Sequence, residues 1–493
     1  MSEARSKEEP KWSEDRVREL FRNSADVIVQ KCQIGDDSST DIVLAYSDGL
    51  CDSSQIGLVV LPGLSKLVSE KGTLDDDSVW MAGKLPLVTF DETPTSGQLS
   101  ESVFQGDLLI FILQSGTAYR LSIGNLPRRS PSESNTEISI KGPKDGFVED
   151  IVVNVALIRK RIRSSDLCNE SFTIGRRTKT RISLLYFHDI ISPDVLKEVK
   201  RRLSQIDIDG IYGSGQIEEM IADSKYSMFP LFASTGRPDY TVNSLLAGRF
   251  VLIVDGSPLA LIGPAELSLI LKSPEDIHFN YAYVSFARVV RGASLFISLF
   301  LPGIWVALLA FHQDQIPFRL MATISVARLG LPMSVQMEMF LLLMLLEVFR
   351  EAGVRLPSSI GQTLTSIGGL IIGDAAIRAG LVSPSIVVVG AITAVSGVTL
   401  VNQSLSTIIS ILRLFFFAMG AFLGMFGIIL GMIVLAAYLS RLQSFGVAYM
   451  GALSPPRFNS MLRSYLRVPW QFMKKRPLFL KPGDSDHQGD EKE

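Results

Sequence analysis

The feature that most constrains this chain is the stretch 292–440, which contains no lysine. Its 149 positions hold six arginines and five acidic residues, whereas residues 1–291 hold 33 basic and 40 acidic residues. Within this stretch, GASLFISLFLPGIWVALLAF (292–311) is a run of 20 uncharged residues. At a rise of about 1.5 Å per residue, such a helix matches a hydrocarbon core of about 30 Å. The pattern predicts an acidic soluble portion followed by a membrane portion, and it argues against an ordinary soluble enzyme.

Four membrane spans are predicted, near 292–311, 331–349, 384–402 and 414–440, within a membrane domain at 281–440. Arg288 and Arg291 precede the first span, and a basic tail at 441–493 follows the last. Because basic residues mark the cytoplasmic flanks of membrane helices, we expect both ends of the domain in the cytoplasm. Residues 356–378 are weakly hydrophobic and are predicted to form a re-entrant or interior helix, since such a segment must be surrounded by protein or water.

Small residues recur at helical spacing in this domain. One stripe repeats every four residues and comprises Gly361, Thr365, Gly369 and Gly373. Two GxxxG pairs, Gly420/Gly424 and Gly427/Gly431, follow in the last predicted span. Two interpretations remain open: tight packing within one subunit, and a stripe that faces a pore or a neighbouring subunit.

Charged side chains at membrane depth cost on the order of 2.5–3.5 kcal/mol each on insertion scales, so each requires a partner or water. Glu347 can pair with Arg350 at i+3, and Asp374 can pair with Arg378 at i+4. Glu338 has no cation nearby in the sequence and is predicted to face water. We therefore take Glu338 and Asp374, with the stripe, as candidate pore or ion-pathway residues. A further expectation is a kink at the proline at position 302, which leaves a carbonyl one turn earlier without its helical donor.

The soluble portion is predicted to consist of two related α/β subdomains, at 25–127 and 147–280, joined by a Ser-, Pro- and Gly-rich linker at 128–146. Strand-like runs in the first half recur in the second: IVLAY at 42–46 aligns with ISLLY at 182–186 at an offset of 140, and Gly106 aligns with Gly248 at an offset of 142. An internal duplication follows from this recurrence.

The most cationic stretch of the soluble portion supplies candidate subunit contacts. These are Arg159, Arg161, Arg176, Arg177 and Lys179. A solvated surface is the other open interpretation. Nucleic acid is not an expected partner, because residues 1–291 carry a net charge of −7 and aromatic residues are sparse in this stretch.

Nothing in the sequence predicts an enzyme, a cofactor or a metal site. Cys32, Cys51 and Cys168 are far apart, and the four histidines are scattered. The first 24 residues form a charged tail without the apolar core of a secretory signal, so the soluble portion is expected to be cytoplasmic. No phosphate-binding loop, nucleophile elbow or zinc-binding HExxH motif occurs.

Several sequence blocks resemble one known family. They include GPKDGFVEDIVVNVALIRKRI (142–162), FTIGRRTKT (172–180), LLAGRFVLIVDGSPLALI (245–262), AGLVSP (379–384) and SFGVAYMGALSP (444–455). On these blocks, the chain resembles the A subunits of the bacterial spore germinant receptors, the GerA-type spore germination proteins. The resemblance covers about residues 25–455.

The resemblance implies a multi-pass protein of the inner spore membrane. It also implies an oligomer that acts with a B-type membrane subunit, which senses the nutrient, and a C-type lipoprotein. A nutrient-gated cation channel is the function that it favours, with a non-conducting scaffold as the alternative. A secondary transporter would call for inverted membrane repeats and more than four spans.

Overall fold

The computed structural model describes residues 12–34, 40–71, 85–90, 94–125, 139–355, 374–451, 453 and 465–487. It divides into two compact units. The α/β unit comprises Met1–Lys225, Ser234–Pro264 and Met473–Glu493, and the helical unit comprises Tyr226–Ala233 and Ala265–Phe472. This division assigns residues 265–280 to the helical unit, whereas the sequence predicts that the membrane domain begins at 281. Of the predicted tail at 441–493, residues 441–472 belong to the helical unit and residues 473–493 to the α/β unit.

The first subdomain is a five-stranded antiparallel sheet with helices on both faces. In chain order its elements are α1 (Glu14–Leu20), β1 (Val27–Ile34), β2 (Thr40–Ser47), α2 (Ser53–Gln55), a π-helix (Ile56–Val60), α3 (Leu61–Lys71), β3 (Leu87–Thr89), α4 (Ser96–Gln105), β4 (Asp107–Ile112) and β5 (Thr117–Ser122). The strand order is β1-β2-β4-β5-β3. Alternate residues of β2 point to opposite faces, so Leu44 joins the core beside Leu64, whereas Val43 joins the core beside Val17 and Phe104.

Helix α1 lies inside the stretch that the sequence analysis described as a charged tail. Its buried face carries Val17, and the flanking Trp12 and Phe21 are buried with it. Ser13 caps the helix by accepting a hydrogen bond from the backbone N–H of Arg16. Residues 12–24 therefore belong to the first subdomain.

The second subdomain repeats this sheet. Its elements are α5 (Ile151–Arg159), β6 (Leu167–Ile174), β7 (Thr180–Phe187), α6 (Pro193–Ser204), α7 (Ser214–Ile221), β8 (Ala233–Thr235), α8 (Pro238–Leu246), β9 (Phe250–Val254) and β10 (Ala260–Gly263). The order β6-β7-β9-β10-β8 corresponds strand by strand to that of the first sheet. In the first sheet Ile42 pairs with Ile112, and in the second Ile182 pairs with Val254. These pairs differ by the offsets of 140 and 142, which confirms the internal duplication.

The helical unit contains the apolar part of the chain. Its elements are α9 (Leu267–Ile270), a 3-10 helix (Pro274–Ile277), α10 (Tyr281–Phe311), α11 (Phe318–Ala327), α12 (Val335–Arg355), α13 (Pro384–Val398), α14 (Gln403–Arg441) and the strands β11 (Gln443–Ser444) and β12 (Val447–Ala448). In the described chain, α10 and α14 are long and apolar enough to cross a membrane. Each of the four predicted spans overlaps a helix, although α13 ends four residues before the predicted boundary.

Helix α14 reverses direction at Gly424, whose φ of 63° and ψ of −149° are not helical. A Cβ added at Gly431 would lie 2.7 Å from Cε1 of Phe416. In a straight helix these two positions would be about 22 Å apart along the axis. The segments 403–423 and 425–441 therefore fold back on each other as a helical hairpin, and the predicted single span at 414–440 is wrong.

Side-chain pairs give the directions of the other helices. Phe300 of α10 packs on Phe416 with ring centroids 4.5 Å apart, and Gly303 lies against Gly420, so α10 runs parallel to 403–423. Helix α12 is antiparallel to the same segment, because Phe340 stacks on Phe417 while Glu347 binds Arg413. The hairpin at Gly424 returns the chain to the end of the unit at which α10 begins.

Candidate functional site

Glu338 joins three helices. Its side chain is fully buried in the first turn of α12. Arg328, which follows α11, donates from Nη2 to Oε1 at 3.0 Å, and the backbone N–H of Ser383, the N-cap of α13, donates to Oε2 at 2.9 Å. The prediction that this carboxylate faces water is therefore wrong for the single chain. The cation is ten positions away in sequence, a separation that helical spacing does not reveal.

Glu347 forms a second charged cluster on α12. It binds Arg350, as the i+3 spacing predicts, and it also accepts a hydrogen bond at 3.1 Å from Nη2 of Arg413 on α14. Arg350 Nη1 lies 3.5 Å from the hydroxyl of Thr407. Sequence spacing does not reveal the contact with Arg413, which depends on the antiparallel packing of α12 and α14.

Asp374 lies at the surface of the helical unit. It pairs with Arg378 at 2.9 Å, as predicted, and the two side chains are 58% and 79% exposed. The four stripe residues that precede it lie outside the described residues: Gly361, Thr365, Gly369 and Gly373. The structure thus separates Asp374, which is accessible, from Glu338, which is enclosed.

The two GxxxG pairs lie at the centre of the helical packing. A Cβ at Gly420 would be 2.9 Å from the carbonyl carbon of Gly303. One at Gly427 would be 2.7 Å from Cβ of Leu423. These glycines allow backbones to approach closely inside one chain, as the packing interpretation of this motif predicts.

Three of the predicted subunit-contact residues lie on the turn between β6 and β7. Arg176 binds Asp207, with Nε to Oδ1 at 2.6 Å, and Arg177 lies 3.7 Å from Asp209. Lys179 is exposed and has a positive φ of 47°. This basic turn, residues 175–179, is accessible to another molecule, and its ion pairs with exposed aspartates are weak.

Arg159 cannot contact another subunit, because its side chain is 0% exposed. It donates to both carboxylate oxygens of Asp26, at 2.8 and 3.0 Å, and lies 3.9 Å from the ring centroid of Phe104. Asp26 and Phe104 belong to the first subdomain, so Arg159 joins the two subdomains of one chain. Arg161 also binds a residue of its own chain, because its Nη2 donates hydrogen bonds of 2.7 and 2.9 Å to the two carboxylate oxygens of Asp145.

A third cluster lies where α10 begins. Asp276 accepts hydrogen bonds from Arg288 and Arg291 on that helix. Burial raises the pKa of Asp276, but the hydrogen bond and positive charge of Arg291, together with those of Arg288, outweigh burial and lower it overall. The carboxylate therefore stays ionised and anchors the start of α10. In the sequence alone, these arginines indicate only the cytoplasmic flank of the first predicted span.

The thiols of the described chain are protonated and unpaired. Burial, with repulsion from Asp52, raises the pKa of Cys51 to about 12, and burial also raises the pKa of Cys32 and Cys168. A thiol of this kind is a poor nucleophile and a poor metal ligand. Among the described residues, no group of three His, Cys, Asp or Glu side chains is arranged to hold a metal ion.

Comparisons with known proteins cover nearly the whole chain. The family model described as Bacillus/Clostridium GerA spore germination protein matches residues 15–479. Spore germination protein XA of Bacillus anthracis is 41% identical over 477 residues, which are 97% of each chain. The membrane protein YfkQ of Bacillus subtilis, whose function is uncharacterized, is 34% identical over 459 residues, 93% of this chain and 88% of its own.

One solved structure is also similar. The crystal structure of the N-terminal domain of the A subunit of the Bacillus megaterium spore germinant receptor GerK3 matches with 31% identity and a TM-score of 0.39, covering 51% of this chain and 92% of that domain. The extent of the family match and the identity to the curated relatives decide the assignment. This chain is a membrane protein that belongs to the GerA family of spore germination proteins, the non-enzymatic A subunits of germinant receptors.

Proposed function

We propose that several copies of this chain assemble in the inner spore membrane into a nutrient-gated cation channel. The α/β unit lies in the cytoplasm, and the chain crosses the membrane several times. A B-type membrane subunit senses the nutrient, and a C-type lipoprotein completes the receptor. The family supports the receptor role, and the distribution of charge in the helical unit supports the ion pathway.

The exposure of Asp374 carries the channel proposal. Glu338 and Glu347 are bound to arginines inside the helical unit. Asp374 instead remains more than half exposed, beside an even more exposed Arg378. A charged pair on the surface of a membrane portion requires water or a polar neighbour. Asp374 therefore borders the ion pathway, where a carboxylate attracts cations. The stripe Gly361, Thr365, Gly369 and Gly373, directly before it in sequence, lines that pathway in the same proposal.

Ion flux from liposomes tests this proposal. The full chain and its two partner subunits are reconstituted with trapped potassium, and efflux is followed after addition of amino acids, sugars or nucleosides. We expect nutrient-dependent efflux. Asp374→Asn should lower cation conductance or selectivity, because it removes the charge and retains the shape.

Asp314→Asn is the matched control, since it removes another exposed carboxylate of the helical unit, in the turn after α10. It should leave efflux unchanged. If efflux is nutrient-dependent but insensitive to Asp374→Asn, Asp374 is not part of the pathway. If correctly assembled receptors give no efflux, the chain is not a channel.

The alternative function is a non-conducting scaffold, which the basic turn favours because it is accessible and cationic. Under both functions we propose that Arg176, Arg177 and Lys179 contact acidic groups of a neighbouring copy. Replacing all three by glutamine should then reduce the oligomer mass measured by light scattering. A scaffold would lose receptor clustering in these variants while its membranes remain ion-tight throughout.

A further inference from the structure

The tail that follows α14 is bound to the start of α10. Arg467 donates from Nη1 to the carbonyl oxygen of Phe279 at 2.8 Å and from Nη2 to that of Ile277 at 3.1 Å. Its backbone N–H donates to the hydroxyl of Ser285 at 3.1 Å, and that hydroxyl lies 3.0 Å from the Arg467 carbonyl oxygen. We refer to residues 465–472 as the tail strap. Its position beside the first turns of α10 is fixed by these bonds.

The surface beside the strap is aromatic. On α10, Tyr281, Tyr283 and Phe286 are 48%, 57% and 67% exposed. On the strap, Trp470 is 46% and Phe472 is 63% exposed, in a short 3-10 helix (Trp470–Phe472). The Arg467 guanidinium lies 5.3 Å from the Trp470 ring centroid. These five aromatic side chains, the aromatic collar, lie at the same end of α10.

The exposed residues of α10 indicate the depth in the bilayer at which we expect the collar. The exposed apolar surface of α10 continues through Val289 and Phe286, on the N-terminal side of the predicted span at 292–311. Ser285, to which the strap is bound, lies between the exposed Tyr281 and Tyr283 on one side and the exposed Phe286 and Val289 on the other. Tyr and Trp concentrate where hydrocarbon meets headgroups, because their rings are apolar and their polar atoms can bind water or headgroups.

We propose that the tail strap is an interfacial anchor, in which Trp470 and Phe472 insert into the phospholipid headgroup layer at the start of α10. The occupant of this surface is the lipid itself. Three observations favour lipid: the collar adjoins a membrane helix, three of its five residues are tyrosine or tryptophan, and Arg288 and Arg291 together exceed by one the charge of Asp276, which they bind. The proposal is independent of whether the chain conducts ions.

Fluorescence of Trp470 in nanodiscs tests this anchor. The sequence has four tryptophans, at positions 12, 80, 305 and 470. Replacing the other three by phenylalanine in the full chain leaves Trp470 as the sole reporter. Lipids brominated near the headgroup, lipids brominated near the chain end, and aqueous iodide are compared as quenchers.

Two matched reporters calibrate depth in a background in which Trp470 is also phenylalanine. Tyr212→Trp places a reporter at an exposed position of the α/β unit, and Phe296→Trp places one at an exposed position within the 292–311 span. We expect Trp470 to lose most of its emission to headgroup-brominated lipid and little to the deep lipid or to iodide. Quenching like that of Tyr212→Trp would overturn the proposal by placing the strap in water. Resistance to all three quenchers would also overturn it, by placing the strap in a protein interface.

A second measurement retains the natural tryptophans. The unmodified chain is labelled with fluorotryptophan, and the resonance that Trp470→Phe removes is assigned to that position. Lipid carrying a spin label on its headgroup should broaden this resonance strongly. An unchanged linewidth would exclude insertion even if the triple variant failed to fold.

Discussion

Arg159 in the second subdomain and Asp26 in the first form two hydrogen bonds, of 2.8 and 3.0 Å, with both side chains almost completely excluded from water. Asn169 also donates to Oδ1 of Asp26, at 3.2 Å. The paired geometry compensates for removing two charges from water. These bonds therefore help to hold the duplicated sheets in their relative placement.

Arg159→Ala should strongly destabilise the α/β unit. It leaves the Asp26 carboxylate buried without its cation, a change that costs about 3–5 kcal/mol in buried pairs. Thermal unfolding of the full chain in detergent, followed by circular dichroism, measures the effect. Arg22→Ala is the control, because Arg22 is an exposed arginine of the first subdomain, and its midpoint should match that of the unmodified chain. Equal midpoints for both variants would contradict the assigned role of Arg159.

Glu338→Gln should affect stability and not ion selectivity. The amide oxygen can still accept the Ser383 N–H, but the charge that binds Arg328 is lost at a fully buried position. A loss of about 1–3 kcal/mol is expected for the helical unit, and it would be measured as a lower thermal midpoint in nanodiscs. If the variant melts normally yet alters selectivity in the liposome assay, Glu338 belongs to the ion pathway after all.

Gly420→Ala should separate α10 from α14. Its methyl group would lie 2.9 Å from the carbonyl carbon of Gly303, and backbone atoms cannot rotate away as a side chain can. A loss of about 1–3 kcal/mol or more is expected, seen as lower yield of monodisperse protein. Gly292→Ala in α10 is the control, because its methyl group would meet no atom within 4 Å. That change should stabilise the helix by up to about 1 kcal/mol.

Glu218 on α7 should make stability fall as pH rises. Burial raises its pKa from 4.5 to about 7, and no described side chain forms an ion pair with it. The folded chain thus holds this proton more tightly than the unfolded chain. Its contribution is complete below pH 4.5 and is lost as the pH passes 7.

Glu218→Gln should accordingly raise the free energy of unfolding by about 1–3 kcal/mol near pH 8 and leave it unchanged near pH 4. Denaturant titrations of the full chain at both pH values measure this difference. Glu219→Gln, at the exposed neighbouring position, should be silent at both. A Glu218→Gln effect that is equal at the two pH values would exclude ionisation as its cause.

The sequence predicts those features whose determinants are local or repeated. The duplicated sheets follow from strand runs that recur at offsets of 140 and 142, because internal repeats keep the order of their elements. The ion pairs of Glu347 with Arg350 and of Asp374 with Arg378 follow from helical spacing.

Other features depend on tertiary packing and left no such signal. Arg328 reaches Glu338 only because the connection 328–334 folds back between α11 and α12, and Arg159 reaches Asp26 across 133 positions. The reversal in α14 was missed because an apolar run of 27 residues resembles one long span. A glycine in such a run is common in membrane helices, so its positive φ cannot be read from composition.

The hairpin in α14 also determines on which side of the helical unit the chain continues after residue 441. A helical hairpin contains one outgoing and one returning segment, so the chain leaves it on the same side of the helical unit on which it entered. A descendant that lost 403–441 as a block would still present its carboxyl end on the original side. Removal of either half alone would invert that end. The two halves of α14 therefore preserve the position of the carboxyl end only together, and the conformation of a single residue, Gly424, sets the reversal between them.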